Sequence, residues 1–379
     1  MIKTEPKSFM SKPSRRQLLK AGGAAVLTTP FVGRAWAATT EINMLAWYGH
    51  GEPDIVAEYE AANNVKFVPK YYAGGDNMLA LIAQSPPGTY DIILSDAEFV
   101  QQLNLAGYID PLDPADYPLD DMLHEDFSKF PGHWADDKLF SMILRGGHLG
   151  VSYNKNSVTE EEAQSYSCFW KPELEGKVGH FDWHLPNLGM MSLYNGNGAG
   201  LWDLDDAKWD AVQETTMGLR KQAGGFFDYG GTFNGLKNGE MQAMCGIGDW
   251  ITGVLEKDGA PVGSVIPKEG GIQFTESYSI GKGSEKTEEV KKFIQYMLSP
   301  VGQVKSAQMA AYPGFCVTKA GRAALIEADG AEAQRSHQMD GDPQDPITLI
   351  KEGRIHYRDI PQQQGLEDWN DFWSEYKNA

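Results

Sequence analysis

Five short stretches set aromatic side chains and carboxylates in, or just past, apolar runs: Trp47 with Tyr48, Asp96 with Glu98, Asp182 with Trp183, Asp249 with Trp250, and Phe274 with Glu276. Rings hold methylene chains or the face of a cation, and carboxylates pair with ammonium groups. His50, three residues beyond Trp47, adds an imidazole. Any one pair is what core packing also produces, and Asp96 equally suits a helix cap. Five together point to a site for an organic amine. Nothing pairs a nucleophile with a base: there is no G-x-S-x-G elbow, Walker loop or H-E-x-x-H. Gly196, Gly198 and Gly200 follow no strand and read as a loop rather than a dinucleotide cradle. His50, His180 and His184 lack the spacing of a metal site. The expectation is therefore no catalytic residue, no metal and no cofactor.

These residues need elements to carry them. Ile42–Ala46 reads as a buried strand, followed by a turn bearing Trp47 to Gly51 and a helix from Pro53, where proline and the acids Glu52 and Asp54 suit a helix start. Strand 65–71, helix 76–84, strand 90–94 and helix 98–106 follow. Helices between short apolar strands predict a mainly parallel sheet, with ligands just beyond the carboxyl ends of the strands. Further strands are expected at 149–154, 241–247 and 272–280, and helices at 207–222, 233–240, 251–257 and 288–299. The tail aromatics Trp369, Phe372, Trp373 and Tyr376 fit a docked amphipathic helix.

Residues 1–37 do not read as part of the fold. Arg15-Arg16, two leucines and Lys20 precede a weakly apolar run and an Ala35-Trp36-Ala37 cleavage pattern, the order of a twin-arginine export signal. The run is shorter than the ~20 residues that cross a bilayer. This segment carries seven Lys and Arg against one acid, so its removal takes the net charge from −19 to −25. Such a surface repels nucleic acid and anionic lipid and favours cationic solutes, although acidity also simply aids solubility. The remaining 342 residues exceed what one core usually serves, so two lobes are expected. Cys168, Cys245 and Cys316 are too few for a disulfide framework; one bridge is possible, and at least one buried thiol is expected.

Residues 45–67, 90–113, 169–178, 238–250 and 265–280, with Ala-Ala-Tyr-Pro-Gly-Phe at 310–315, together resemble the periplasmic spermidine/putrescine-binding proteins of polyamine ABC importers. The resemblance spans nearly the whole chain after residue 37. It implies a type II periplasmic-binding-protein fold: two α/β lobes, each a mainly parallel sheet flanked by helices, with the ligand cleft at the hinge. On this reading, residues 38–146 with 248–310 form one lobe and 147–247 with 311–379 the other. The implied ligand contacts are Trp47, Tyr48, His50, Asp96, Glu98, Asp182, Trp183, Asp249, Trp250, Phe274 and Glu276. The implied setting is the periplasm, as a monomer handing a small-molecule amine to an ABC permease and its ATPase. Departures stand out. Tyr48-Gly49-His50 replaces the family's Thr-Glu-Tyr, residues 181–187 differ from its double-acid run, and residues 246–250 replace its Trp before Gly-x-Ser. A shorter diamine, another amine or an amino-acid-like solute therefore stays open, with Arg145 available to meet a ligand carboxylate. An exported cofactor enzyme and a metal or anion carrier are the readings from other classes.

Overall fold

The structure is a computed structural model that describes residues 38–379; the export signal expected at 1–37 lies outside the described residues. Strand Thr40–Ala46 buries Ile42, Met44, Leu45 and Ala46, and it pairs in parallel with Val65–Tyr71 on one side and Ile92–Asp96 on the other. Helix Pro53–Asn63 crosses between the first two, with proline in its first turn, and ends at Asn64 in the left-handed conformation.

This sheet then departs from the expected parallel order. Strand Gly271–Gly281, buried along its whole length, lies antiparallel between Ile92–Asp96 and Met142–Leu149. It also pairs with the short strands Ile109–Asp110 and Ile355–Tyr357, while Phe315–Cys316 closes the far edge. Helix Thr287–Leu298 covers the sheet through Val290, Phe293, Ile294 and Met297, as its periodicity predicts. Phe293 lies 4.3 Å, ring to ring, from Phe67 and 5.1 Å from Tyr59.

A second sheet runs Ala223–Phe227, Val178–Phe181, Ala243–Cys245, Val151–Asn154, Val262–Val265. Its first three strands are parallel and its last two antiparallel to their neighbours. Helix His184–Tyr194 was not foreseen: it is buried all round, so no polar face marks its period. Helix Leu366–Asn378 docks here as expected, burying Trp369, Phe372, Trp373 and Tyr376.

The chain passes between the sheets through Gly150 alone, after strand Met142–Leu149 and before Val151–Asn154, and returns between Val262–Val265 and Gly271–Gly281. A Cβ on Gly150 would sit 2.2 Å from the Val265 carbonyl oxygen, so the two connections run side by side where only hydrogen fits. Segment 248–310 divides between the sheets. Helix Asp249–Lys257 packs against strand Val262–Val265 in the second, and residues from Gly271 belong to the first. Strands Phe315–Cys316 and Ile355–Tyr357 also lie in the first sheet. All three cysteines are buried and free.

Candidate functional site

The strand ends of both sheets open onto one cavity of about 440 Å3. Trp47 and Tyr48 come from the turn after the first strand, Asp96 from the end of Ile92–Asp96, and Glu276 and Phe274 from the long central strand. The second sheet contributes Asp182 and Trp183 after one strand, and Asp228 and Tyr229 after another. Trp250 enters from the start of helix Asp249–Lys257. The turn after the first strand needs Gly49 at φ +109°, where a Cβ would also meet Ala311 and Met309 below 3 Å.

The rings form the walls. The Trp47 ring lies 4.8 Å from Tyr72 and, across the cleft, 6.0 Å from Trp183. Tyr48, exposed at the rim, is 6.0 Å from Tyr229, which stacks at 6.3 Å on Trp250.

The carboxylates are largely matched by cations of the same chain. Arg358 donates from Nε to Glu98, pairs through Nη2 with Asp96, and lays its guanidinium 4.4 Å from the centre of the Trp183 ring. Asp96 also accepts from the Trp47 indole N–H at 3.1 Å. It begins a short helix yet caps nothing with its side chain. Burial raises both the Asp96 and Glu98 carboxyls, against the pull of Arg358. Glu276 accepts from the Tyr312 hydroxyl at 2.7 Å, pairs with Arg145 Nε at 2.8 Å, and lies 3.1 Å from His50 Nε2. Burial alone would raise its carboxyl; Arg145 and His50 outweigh burial and hold it down at about 2. Asp182, on the rim, accepts from the Trp373 indole at 2.9 Å and from Lys377 at 2.9 Å. Asp228, also exposed, caps helix Tyr229–Lys237 by accepting from Gly231 N at 2.7 Å.

Comparison with known proteins supplies the family. Residues 54–333 match the model of the bacterial extracellular solute-binding proteins. The chain belongs to that family. Solute-binding proteins bind and release their ligands unchanged, so the chain is not an enzyme. It is 24% identical over 283 residues to spermidine/putrescine-binding periplasmic protein 1 of Haemophilus influenzae, covering 73% of this chain and 76% of that one. It is likewise 24% identical over 311 residues to the spermidine/putrescine-binding periplasmic protein of Escherichia coli, covering 79% and 83%. Among solved structures, the spermidine/putrescine ABC transporter substrate-binding protein PotD of Streptococcus pneumoniae superposes with a TM-score of 0.71 at 15% identity, over 89% of this chain and 99% of that one.

For this solute-binding protein the structure brings together Trp47, Tyr48, Asp96, Asp182, Trp183, Trp250, Phe274 and Glu276. Three of the expected residues lie off the cavity lining. His50 is fully buried behind Glu276, between the hydroxyls of Tyr278 and Tyr312. Glu98 sits behind Arg358. Asp249 turns to the opposite side of its helix from the cleft wall and is held by both terminal nitrogens of Arg335, at 2.7 and 3.0 Å, beside a separate small cleft. Successive helical residues point about 100° apart, and here that offset leaves Trp250 on the cavity while Asp249 lies off it. Arg145, expected as an anion contact, has no exposed surface and spends its donors on Glu276 and on the carbonyls of Ser306 and Tyr312. Arg358, unremarked in the sequence, lines the cavity instead.

Tyr72, Phe227, Asp228, Tyr229 and Tyr312 were also unforeseen. Phe227-Asp228-Tyr229 carries the same aromatic-acid signal as the other turns, but its strand, Ala-Gly-Gly-Phe-Phe, is too glycine-rich to read as one. Among the described residues no group of three or more His, Cys, Asp or Glu is placed to hold a metal ion. No described helix is long and apolar enough to cross a membrane.

Proposed function

We propose that this chain is the solute-binding component of an ABC importer, working in the periplasm, and that it takes a small organic amine between its two lobes. The lobes we infer are residues 39–149 with 271–357, and 150–270 with 366–379. One observation carries the ligand class. Indole and phenol rings from both sheets converge on a single cavity whose polar edge holds four carboxylates, Asp96, Asp182, Asp228 and Glu276. An ammonium group set against ring faces and carboxylates gains on both counts. The spermidine/putrescine relatives support the same class, so putrescine and spermidine belong in the first panel tested.

Closure follows from where the contacts come from. Trp47 and Asp96 belong to the first sheet; Trp183 and Asp228 follow strands of the second. A ligand touching both sets stabilises the closed arrangement over an open one by its differential affinity, and among the described residues the crossings that must flex are the side-by-side connections at Gly150 and Val265 and the segment 358–365 that leads to the tail helix. The closed form then presents both lobes to a permease. Twin-arginine export, read from residues 14–37, remains part of this proposal, as does action as a monomer.

The test is calorimetric titration of the purified chain from residue 38 onward with putrescine, spermidine, monoamines and amino acids. Saturable binding of at least one amine with a 1:1 stoichiometry supports the reading. Binding of none of them, with simple sugars or anions bound instead, sinks it.

A further inference from the structure

Among the described residues Arg358 is the one cation that lines the cavity, and the first lobe goes to some length to place it there. It follows strand Ile355–Tyr357 at the edge of the central strand, its main-chain N–H donates to Gln273 O at 2.9 Å, and the residue is 5% exposed. Glu98 fixes the guanidinium through Nε. Nη2 is engaged by Asp96, and Nη1 has no hydrogen-bond partner among the described residues. The flat face rests on Trp183 at the cavity wall. A pinned, buried guanidinium at the cavity wall with its Nη1 uncommitted suits a ligand carboxylate, which accepts N–H groups in that plane.

The anionic side of the cleft agrees. Arg145 neutralises Glu276, Lys377 shares Asp182, and Arg358 itself serves both Asp96 and Glu98. Asp228 alone lacks a cation of the same chain within ion-pair distance among the described residues, and its Oδ1 already accepts one main-chain N–H. A diamine brings two ammonium groups to a cleft with one uncommitted carboxylate and a resident guanidinium that repels the second. A ligand with one ammonium and one carboxylate meets no such conflict.

We propose that Arg358 is the specificity-determining residue of this cleft, and that it selects amines that also carry a carboxylate over diamines and polyamines. The carboxylate lies against Arg358 on the first lobe and the ammonium against Asp228 and Asp182 on the second, so that one ligand joins both lobes through opposite charges. This rests on the organic-amine reading above and narrows it.

The experiment compares ligands matched in length on the unsubstituted chain: putrescine against 4-aminobutanoate, 1,6-diaminohexane against 6-aminohexanoate, and butylamine against butanoate, each by titration calorimetry at one ionic strength. The expected result is that the better amino acid binds at least tenfold more tightly than its diamine, and that neither single-charge compound matches it. R358Q is expected to weaken the amino acid at least thirtyfold and to bind the diamine more tightly than the unsubstituted chain does, because the repulsion is gone; R358K keeps the order with a smaller gap. Because R358Q also leaves Glu98 without its partner, the ranking on the unsubstituted chain is the deciding comparison and needs no variant. A diamine that binds as tightly as its amino acid overturns this inference and leaves the organic-amine reading standing. Binding by no member of the panel overturns both.

Discussion

Replacing Trp47 by alanine removes a whole wall of the cleft. The indole lies at the strand end, beside Tyr72 and opposite Trp183, and its N–H is committed to Asp96. A desolvated cation on such a face gains ~2 kcal/mol. Covering some 60 Å2 of ligand and ring surface adds ~1.5 kcal/mol at about 25 cal/mol per Å2. Together these predict a loss of ~3.5 kcal/mol, or roughly 300- to 400-fold in Kd. Trp47→Phe separates ring from donor: it keeps a stacking face and forfeits only the hydrogen bond to Asp96, a net ~1–2 kcal/mol, so it should fall between the two. Titration calorimetry with the tightest-binding amine, alongside urea unfolding of each variant, reads affinity and fold separately. A Trp47→Ala chain that folds normally and binds within threefold of the unsubstituted protein would refute the placement of the ligand between these rings.

Asp228 and Asp249 both begin or cap helices after strands, yet only Asp228 edges the cavity; Asp228→Asn should weaken amine binding by ~2 kcal/mol, whereas Asp249→Asn should leave Kd within threefold and act on stability through Arg335. Equal effects on binding would remove the distinction. Burial holds His133, His180 and His184 down at about 4, His148 at about 3, and His50 below its ordinary value, so the unfolded chain takes up protons near pH 6.5 that the folded chain does not. Stability is therefore lost as pH falls from 6.5 toward 4, at up to ~1.4 kcal/mol per pH unit for each imidazole. The raised Asp76, Asp96, Glu98 and Asp359 carboxyls act with the opposite sign, keeping protons in the folded state as pH rises, but they are four against six histidines, since burial lowers His356 as well. The urea midpoint should be lower at pH 5 than at pH 7, and an unchanged midpoint contradicts the assignment. Phe293→Ala should cost ~3–5 kcal/mol in urea unfolding, because Phe67 and Tyr59 close on that ring from the strand and the helix; a loss under 1 kcal/mol means the helix is held some other way.

What the sequence made legible follows from locality. Strand Thr40–Ala46, helix Pro53–Asn63 and strand Val65–Tyr71 each advertise themselves by short apolar runs and a proline start, and the turn that follows the first strand inherits its place in the site. Helix Thr287–Leu298 has a clean 3.6-residue stripe. Side-chain direction and distant pairing were not legible. Asp249 and Trp250 are neighbours in sequence and share the small cleft, but only Trp250 reaches the aromatic cavity. Arg358 reaches Glu98 across 260 positions, and nothing in Arg-Ile-His-Tyr-Arg-Asp-Ile-Pro at 354–361 marks one arginine over the other. Arg145, beside two glycines, looked available and is entirely committed to Glu276 and main-chain carbonyls. A carboxylate in a turn signals a possible cation contact; whether the chain itself supplies that cation depends on tertiary structure alone.

The most direct measurement is a crystal structure of the chain with its tightest-binding amine. We expect the ligand in the cavity between the rings of Trp47 and Trp183, with its ammonium group within hydrogen-bonding distance of Asp228 or Asp182. A ligand found instead in the small cleft beside Asp249 and His337, with the aromatic cavity left to solvent, would contradict the account.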